Sequence, residues 1–261
     1  MAHEHLTEPL LAIAREAGRI IMEYYEGSVE VHLKADASPV TVADLAANDY
    51  IVRELKVLTP NLPIVSEEDH EHHDAGITNW HGEDLKETAF WLVDPLDGTK
   101  SFIRHTGEFT VNIGLVSKGK PMVGVVYAPV EGVCYYTGDN GKAYKKGKTG
   151  KAKIIEARTP GKDGLVVVTS QSHNSPKTDA YVAKLGKVKE RISSSSSIKL
   201  CLIAEGKADV YPRLGTTMEW DTAAAHAVLN AAGGSLIGLD GAPFVYAKDG
   251  FKNPHFVAKG R

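Results

Sequence analysis

Cysteine is almost missing from this chain: of 261 residues only Cys134 and Cys201 are cysteine, far apart and each inside an apolar segment. That is too few for a disulfide framework or a cysteine-based zinc site, and the pair reads as reduced, buried thiols. Long apolar runs are missing too. None approaches the roughly 18 residues that a membrane-spanning helix needs, and Met1-Ala2-His3-Glu4-His5 lacks the basic start and apolar stretch of a secretory signal. A cytoplasmic protein without an integral membrane segment is expected. Neither charge sign is in excess: 30 Lys plus Arg face 33 Asp plus Glu, a formal net charge of −3, with a pI of about 6.4. A nucleic-acid surface would show as a basic excess, so nucleic acid is not an expected partner and any anionic ligand is small and locally bound. Hydrophobic residues make up 43%, enough to exclude disorder along the whole chain and to build a core.

What is present is a mixture of helical and strand periods. Leu10, Leu11, Ile13, Ala14, Ala17, Ile20, Ile21 and Tyr24 recur at helical spacing, with Thr7 as the expected N-cap and Gly27 beyond the end. A second helix is predicted from Thr41-Val42-Ala43-Asp44, a cap with an acidic partner, to Thr59-Pro60; the two are expected to pack together. Short apolar strands at 62–65 and 90–93 run directly into acidic residues, Ser66-Glu67-Glu68-Asp69 and Asp94-Pro95-Leu96-Asp97. From 109 to 145 the pattern is a β meander. Next come a strand at 165–169, a Ser197-capped helix to Ala204, a strand at 209–212, a helix at 221–232, and a strand and hairpin at 236–239 and 244–246. Strands and helices do not alternate strictly, which points to a layered α+β class rather than a doubly wound parallel sheet. The expected organisation is a single unit, an N-terminal α+β half of about 1–155 and a C-terminal α/β half of about 156–261.

The chemistry concentrates in Asp94-Pro95-Leu96-Asp97-Gly98-Thr99. Pro95 stiffens the turn and Gly98 permits close backbone approach. Carboxylates held this close repel unless a cation lies between them, and hard cations such as Mg²⁺ take oxygen ligands; the Leu96 carbonyl is one more oxygen. The bland alternative is that Asp97 N-caps a short helix and Asp94 caps the strand. For Glu67-Glu68-Asp69 the alternative is a solvated loop, for Asp221 in Glu219-Trp220-Asp221 a helix N-cap, and for Asp44 the acidic half of a capping box.

Together these segments resemble the lithium-sensitive sugar-phosphatase superfamily that includes inositol monophosphatase, fructose-1,6-bisphosphatase and the 3′(2′),5′-bisphosphate nucleotidases. The pattern is an acidic residue after a strand, then Asp-Pro-hydrophobic-Asp-Gly-Thr, then Trp-Asp-x-Ala-Ala, and all three parts occur here in order. The likeness extends over almost the whole chain. It is strongest to the bacterial bisphosphate nucleotidases, through Lys34 to Asp44, Asp94 to Phe102, Gly107-Glu108-Phe109-Thr110-Val111-Asn112 and Tyr211-Pro212-Arg213. It implies a layered α/β/α/β/α sandwich and two, or three, Mg²⁺ ions per site. Glu67, Asp94 and the Leu96 carbonyl would hold one ion, and Asp94, Asp97 and Asp221 a second. The implied reaction is hydrolysis by a metal-activated water without a phosphoenzyme, with Glu67 also in the catalytic set and Asp44 and Thr99 accepting the proton. Backbone N–H groups at Gly98 and Thr99 suit phosphate oxygens.

The resemblance also bears on the substrate. Inositol enzymes usually read Asp-Gly-Thr-x-Asn-Phe where this chain has Asp97-Gly98-Thr99-Lys100-Ser101-Phe102; Lys100 points to the nucleotidase branch, and Ser196, Ser197 and Lys199 match its Ser-Ser-x-Lys. With Arg213 they favour a small bisphosphorylated nucleotide, 3′-phosphoadenosine 5′-phosphate, over inositol phosphate; its sulfated precursor 3′-phosphoadenylyl sulfate is a further candidate. His173 is placed near the base, with a structural histidine as its alternative. Ser195 departs from the family's Gly, and Glu219, where inositol enzymes often place a sugar-binding Glu, keeps inositol phosphate open as a substrate. His70, His72, His73 and His81, in the segment 69–86, raise zinc as an idea, against which stands a solvated flap. A non-catalytic metal- or nucleotide-binding module is the rival of another class. The assembly is expected to be a monomer or a homodimer.

Overall fold

The alternation of the meander decides how the molecule is layered. In the computed structural model, which describes residues 5–27, 31–33, 39–71, 82–170 and 176–261, the elements in chain order are α1 (Thr7–Tyr25), β1 (Val31–Leu33), β2 (Pro39–Thr41), α2 (Val42–Leu58), β3 (Ile64–Ser66), α3 (Glu67–Glu71), α4 (Gly82–Leu85), β4 (Ala89–Asp97), α5 (Thr99–Ile103), β5 (Thr110–Ser117), β6 (Lys120–Ala128), β7 (Val133–Thr137), β8 (Ala143–Lys146) and β9 (Lys153–Ile154). There follow β10 (Leu165–Ser170), α6 (Pro176–Ala183), β11 (Val188–Ser194), α7 (Ile198–Ala204), β12 (Val210–Arg213), α8 (Ala223–Ala231), β13 (Ser235–Gly238) and β14 (Phe256–Lys259). Strands β3 to β9 form a seven-stranded sheet in sequence order, antiparallel except for the parallel β3–β4 pair. A five-stranded sheet has the order β11-β10-β12-β14-β13.

Strand period 2 sends Val111, Ile113 and Leu115 of β5 to one face, where they pack with Leu10, Ala14 and Ile21 of α1 and Ile51 and Leu55 of α2. The opposite face, including Val116 and Val126, shares a core with α7, α8 and the inner face of the second sheet. On that sheet's outer side Val182 of α6 joins Val167, Val210 and Val257. The result is five layers, helix, sheet, helix, sheet, helix, as the family resemblance implies.

One contact between layers sets the site. Gly114 and Gly124 face each other across β5 and β6, and α8 lies directly on them. A Cβ on Gly114 would stand 2.8 Å from the Ala224 nitrogen, and one on Gly124 only 2.0 Å from the Ala224 carbonyl oxygen. Two glycines below and Ala223-Ala224 above bring helix backbone onto sheet backbone, and so fix the start of α8 over the end of β4.

Several sequence expectations are corrected. Thr7 does not cap α1: Leu6 does, its carbonyl accepting Leu10 N–H at 3.0 Å, while the Thr7 hydroxyl donates to Asp139 Oδ1 at 2.7 Å. Residues 244–246 are no hairpin strand. β13 pairs instead with β14, and Phe244 and Tyr246 are buried as core anchors, a role that the apolar run alone does not distinguish from a strand. Helix α6 and strands β9, β11 and β14 lay outside the sequence prediction; α6 and β11 carry weak apolar periodicity and several charges. Lys34 to Ser38, His72, His73, His81 and His173 lie outside the described residues.

The glycine contact is testable. Gly124→Ala forces α8 away from the sheet and is expected to cost about 2–3 kcal/mol, in the range for overpacked cores, measured by urea unfolding; wild-type stability in this variant would contradict the close approach.

Candidate active site

Residues three apart in a regular strand face opposite sides, yet Asp94 and Asp97 line the same cavity. The register explains it: Asp94 pairs with Asn112 and Asp97 with Thr110, so β4 carries one extra residue at Pro95-Leu96. This bulge turns both carboxylates to one side, in the stretch where Pro95 has no ladder N–H to give. Leu96 N–H is satisfied locally by Asp94 Oδ1 at 3.1 Å. Gly98, at φ 104°, makes the following turn, and a Cβ there would stand 2.9 Å from the Glu108 carbonyl.

Because β3 runs parallel to β4, Glu67 emerges beside Asp94 at the carboxyl ends of both strands. Asn48 of α2 holds the flanks of Glu67, accepting from Ser66 Oγ at 2.6 Å and donating to Asp69 Oδ1 at 2.8 Å. Asp221 arrives from the other half. It is not an N-cap: Thr222 occupies that position, and Asp221 Oδ2 accepts Met218 N–H at 2.9 Å. Glu67, Asp94 and Asp221 each offer an oxygen within 4.8 Å of the others. Asp97 lies in the same cavity wall but turns Oδ2 toward Ser197 N–H at 2.7 Å and Ser196 Oγ at 3.0 Å. It does not cap α5, whose N-cap is Gly98.

Asp94 is 2% exposed. Burial, then the neighbouring carboxylates of Glu67, Asp97 and Asp221, push its carboxyl well above the usual range. Burial and the charges of Asp97 and Glu67 do the same to Asp221. Such crowding is unfavourable for the bare carboxylates and is relieved by a cation. An all-oxygen set of this kind fits a hard divalent ion.

Asp44 divides its two oxygens. Oδ2 accepts Thr41 N–H at 2.8 Å and Thr41 Oγ1–H at 2.5 Å, completing a capping box, and Oδ1 accepts the Thr99 hydroxyl at 3.1 Å. The cap and the contact with Thr99 therefore coexist, one on each carboxylate oxygen. The Thr99 hydroxyl also lies 3.2 Å from the Leu96 carbonyl.

The cavity, about 310 Å³, is also lined by Ser196, Ser197, Lys199 and Arg213, and by the exposed Lys100. Lys199 is buried, its Nζ donating to the Ser196 carbonyl at 2.6 Å and lying 5.6 Å from the Tyr211 ring centre; burial pushes its pKa down to about 8. Arg213 donates to the Thr216 carbonyl at 3.0 Å, and its Nε has no hydrogen-bond partner among the described residues. Ser197 does not cap α7 with its side chain; its hydroxyl donates to the Asp221 carbonyl at 2.7 Å. Ser170, Tyr211, Thr216, Thr217 and Phe256 also line the cavity. Of these only Tyr211, in Tyr211-Pro212-Arg213, carried a signal in the sequence.

Residues 2–258 match the inositol monophosphatase family. The chain belongs to this family. A protein of Salmonella typhimurium named 3′(2′),5′-bisphosphate nucleotidase CysQ is 43% identical over 96% of this chain and 98% of its own length. The protein of the same name from Escherichia coli (strain K12) is 44% identical with the same coverage. Among solved structures, CysQ from Bacteroides thetaiotaomicron, a bacterial member of the inositol monophosphatase family, matches at TM-score 0.81 and 36% identity over 98% of each chain. The fold extends to inositol monophosphatase from Anabaena, with TM-score 0.71 at 21% identity over 97% of this chain and 88% of that one.

Crowding at this inositol monophosphatase-family site predicts a separation of stability from metal binding. Without metal, Asp94→Asn replaces a carboxyl whose ionised form is disfavoured by burial and by like charges, so its Tm is expected at or above wild type at pH 7. Calorimetric titration with Mg²⁺ is expected to lose most of its heat. A metal-free Tm well below wild type would contradict the repulsion.

Proposed function

We propose that this chain is a Mg²⁺-dependent 3′(2′),5′-bisphosphate nucleotidase that hydrolyses the 3′-phosphate of 3′-phosphoadenosine 5′-phosphate to AMP and phosphate. Its sulfated counterpart, 3′-phosphoadenylyl sulfate, fits the same reading. The observation that carries it is a single cavity lined both by the carboxylates Glu67, Asp94, Asp97 and Asp221 and by the cations Lys199 and Arg213. A substrate with one phosphate needs only the carboxylate group and its metal; a bisphosphate also uses the cations. The near full-length likeness to proteins named as such nucleotidases supports it.

Glu67, Asp94, Asp97 and Asp221, with the Leu96 carbonyl, would hold the Mg²⁺. When bound, Mg²⁺ supplies Lewis-acid activation of water and neutralises charge on the phosphate and leaving oxygens. The chain's own residues do the rest. Thr99 relays a proton from the attacking water to Asp44, whose Oδ1 is the oxygen left over from the capping box. Gly98 and Thr99 border the reacting phosphate. Lys199, Arg213, Ser196 and Ser197 hold the spectator phosphate, and Lys100 adds positive charge at the entrance.

Inositol phosphate is the weaker alternative on a specific ground. Glu219, the residue that kept it open, is fully buried. Its carboxylate accepts the N–H groups of Ala247 and Lys248, each at 2.9 Å, and Lys248 Nζ at 2.6 Å, and it does not line the cavity. A non-catalytic module is disfavoured by the Thr99–Asp44 pair.

Purified protein with Mg²⁺ is expected to give a kcat/KM on 3′-phosphoadenosine 5′-phosphate more than tenfold above that on inositol 1-phosphate; the reverse order would overturn the assignment. A pH dependence follows from Lys199. Its ammonium is charged below about pH 8 and neutral above, so KM for the bisphosphate should rise as pH passes 8. For 3′-AMP, which lacks the 5′-phosphate, KM should not follow, and in Lys199→Met the pH-dependent rise should vanish.

A further inference from the structure

The segment Gly107 to Asn112 has no place in the chemistry above, and none of Glu108, Thr110 and Asn112 lines the cavity. Spaced by two along extended chain entering β5, the three share one face, whereas Phe109 and Val111 between them are buried with α1. They meet three successive serines in the turn between β11 and α7. Ser195 N–H donates to Glu108 Oε2 at 2.8 Å, the Ser196 and Thr110 hydroxyls lie 2.8 Å apart, and Asn112 Nδ2 donates to Ser197 Oγ at 2.9 Å. Thr110 Oγ1 also lies 3.0 Å from Asn112 Oδ1, a second acceptor within reach of its one proton, next to the neighbouring rung.

The same serine turn holds the site from its other side. Asp97 Oδ2 receives Ser197 N–H, Ser196 Oγ and, at 3.2 Å, Asn112 Nδ2. Lys199 Nζ is fixed on the Ser196 carbonyl. Ser196 has φ 58°, a left-handed conformation that a residue with a side chain keeps only when its surroundings impose it.

We infer that Glu108, Thr110 and Asn112 form a positioning ladder: by gripping the serine turn they set the orientation of Asp97 toward the metal and of Lys199 toward the substrate's second phosphate. The Lys199 half rests on the bisphosphate reading; the Asp97 half does not.

Two pairs of variants test it. Thr110→Val keeps the shape and β-branching of threonine but removes the hydroxyl, and is expected to weaken Mg²⁺ binding about five- to tenfold by calorimetry, with Thr110→Ser within twofold of wild type. Glu108→Ala is expected to raise KM for 3′-phosphoadenosine 5′-phosphate about tenfold with kcat within twofold, while Glu108→Gln, which still offers an acceptor to Ser195 N–H, stays near wild type. Circular dichroism and Tm establish that the variants fold. Unchanged Mg²⁺ affinity in folded Thr110→Val, or unchanged KM in folded Glu108→Ala, overturns the ladder. If the wild-type protein binds Mg²⁺ but does not hydrolyse the bisphosphate, the substrate assignment fails and the Mg²⁺ titration of Thr110→Val alone decides the ladder.

Discussion

The constraint on which the molecule depends is electrostatic: carboxylates crowded at the buried end of two parallel strands must be held together against their own repulsion. Asp94 has almost no access to water, so solvent screens little of the charge from Glu67, Asp97 and Asp221. Nothing in the cluster is self-stabilising in the absence of a cation. The scaffold therefore holds each carboxylate independently: the β4 bulge for Asp94 and Asp97, Asn48 beside Glu67, and the Met218 N–H for Asp221.

That arrangement requires two sheets to meet at one point with little tolerance. Gly114 and Gly124 let α8 rest on the large sheet backbone to backbone, which carries Asp221 to the end of β4. The serine turn crosses the gap in the other direction, from the small sheet to Asp97. Each sheet thus supplies the other with part of the site. Ser196 and Ser197 link Asp97, which they touch, to Lys199, whose Nζ donates to the Ser196 carbonyl. Glu219 shows the complementary economy: a residue beside the Asp221 turn is spent on the 247–248 loop through backbone and Lys248 contacts, not on ligand.

The parts legible in the sequence were those with a local cause. Helix α2 with its capping box, the meander from β5 to β8, and the strand-end carboxylates Glu67 and Asp94 all follow from period, cap and turn chemistry within a few residues. Elements whose stability comes from distant partners were not legible. β14 is placed by pairing with both β12 and β13, Phe244 and Tyr246 become core anchors rather than strand, and α6 is held by Val182 against a sheet face. The polar positions 108, 110 and 112 did carry a signal, alternation with Phe109, Val111 and Ile113, but a polar strand face ordinarily means solvent, and only the structure shows serines there.

By itself the sequence determined the family, the layered class and the residue types of the site, because the Asp-Pro-Leu-Asp-Gly-Thr turn and the Trp-Asp-Thr-Ala-Ala helix start are short-range patterns that chemistry restricts tightly. Only the tertiary structure decided which carboxylate oxygens face one another, that Asp44 serves a cap and Thr99 at once, and that Glu219 is withdrawn from the cavity. The reason is physical: each depends on atoms brought within hydrogen-bonding distance from segments far apart in the chain, and no local period records that distance.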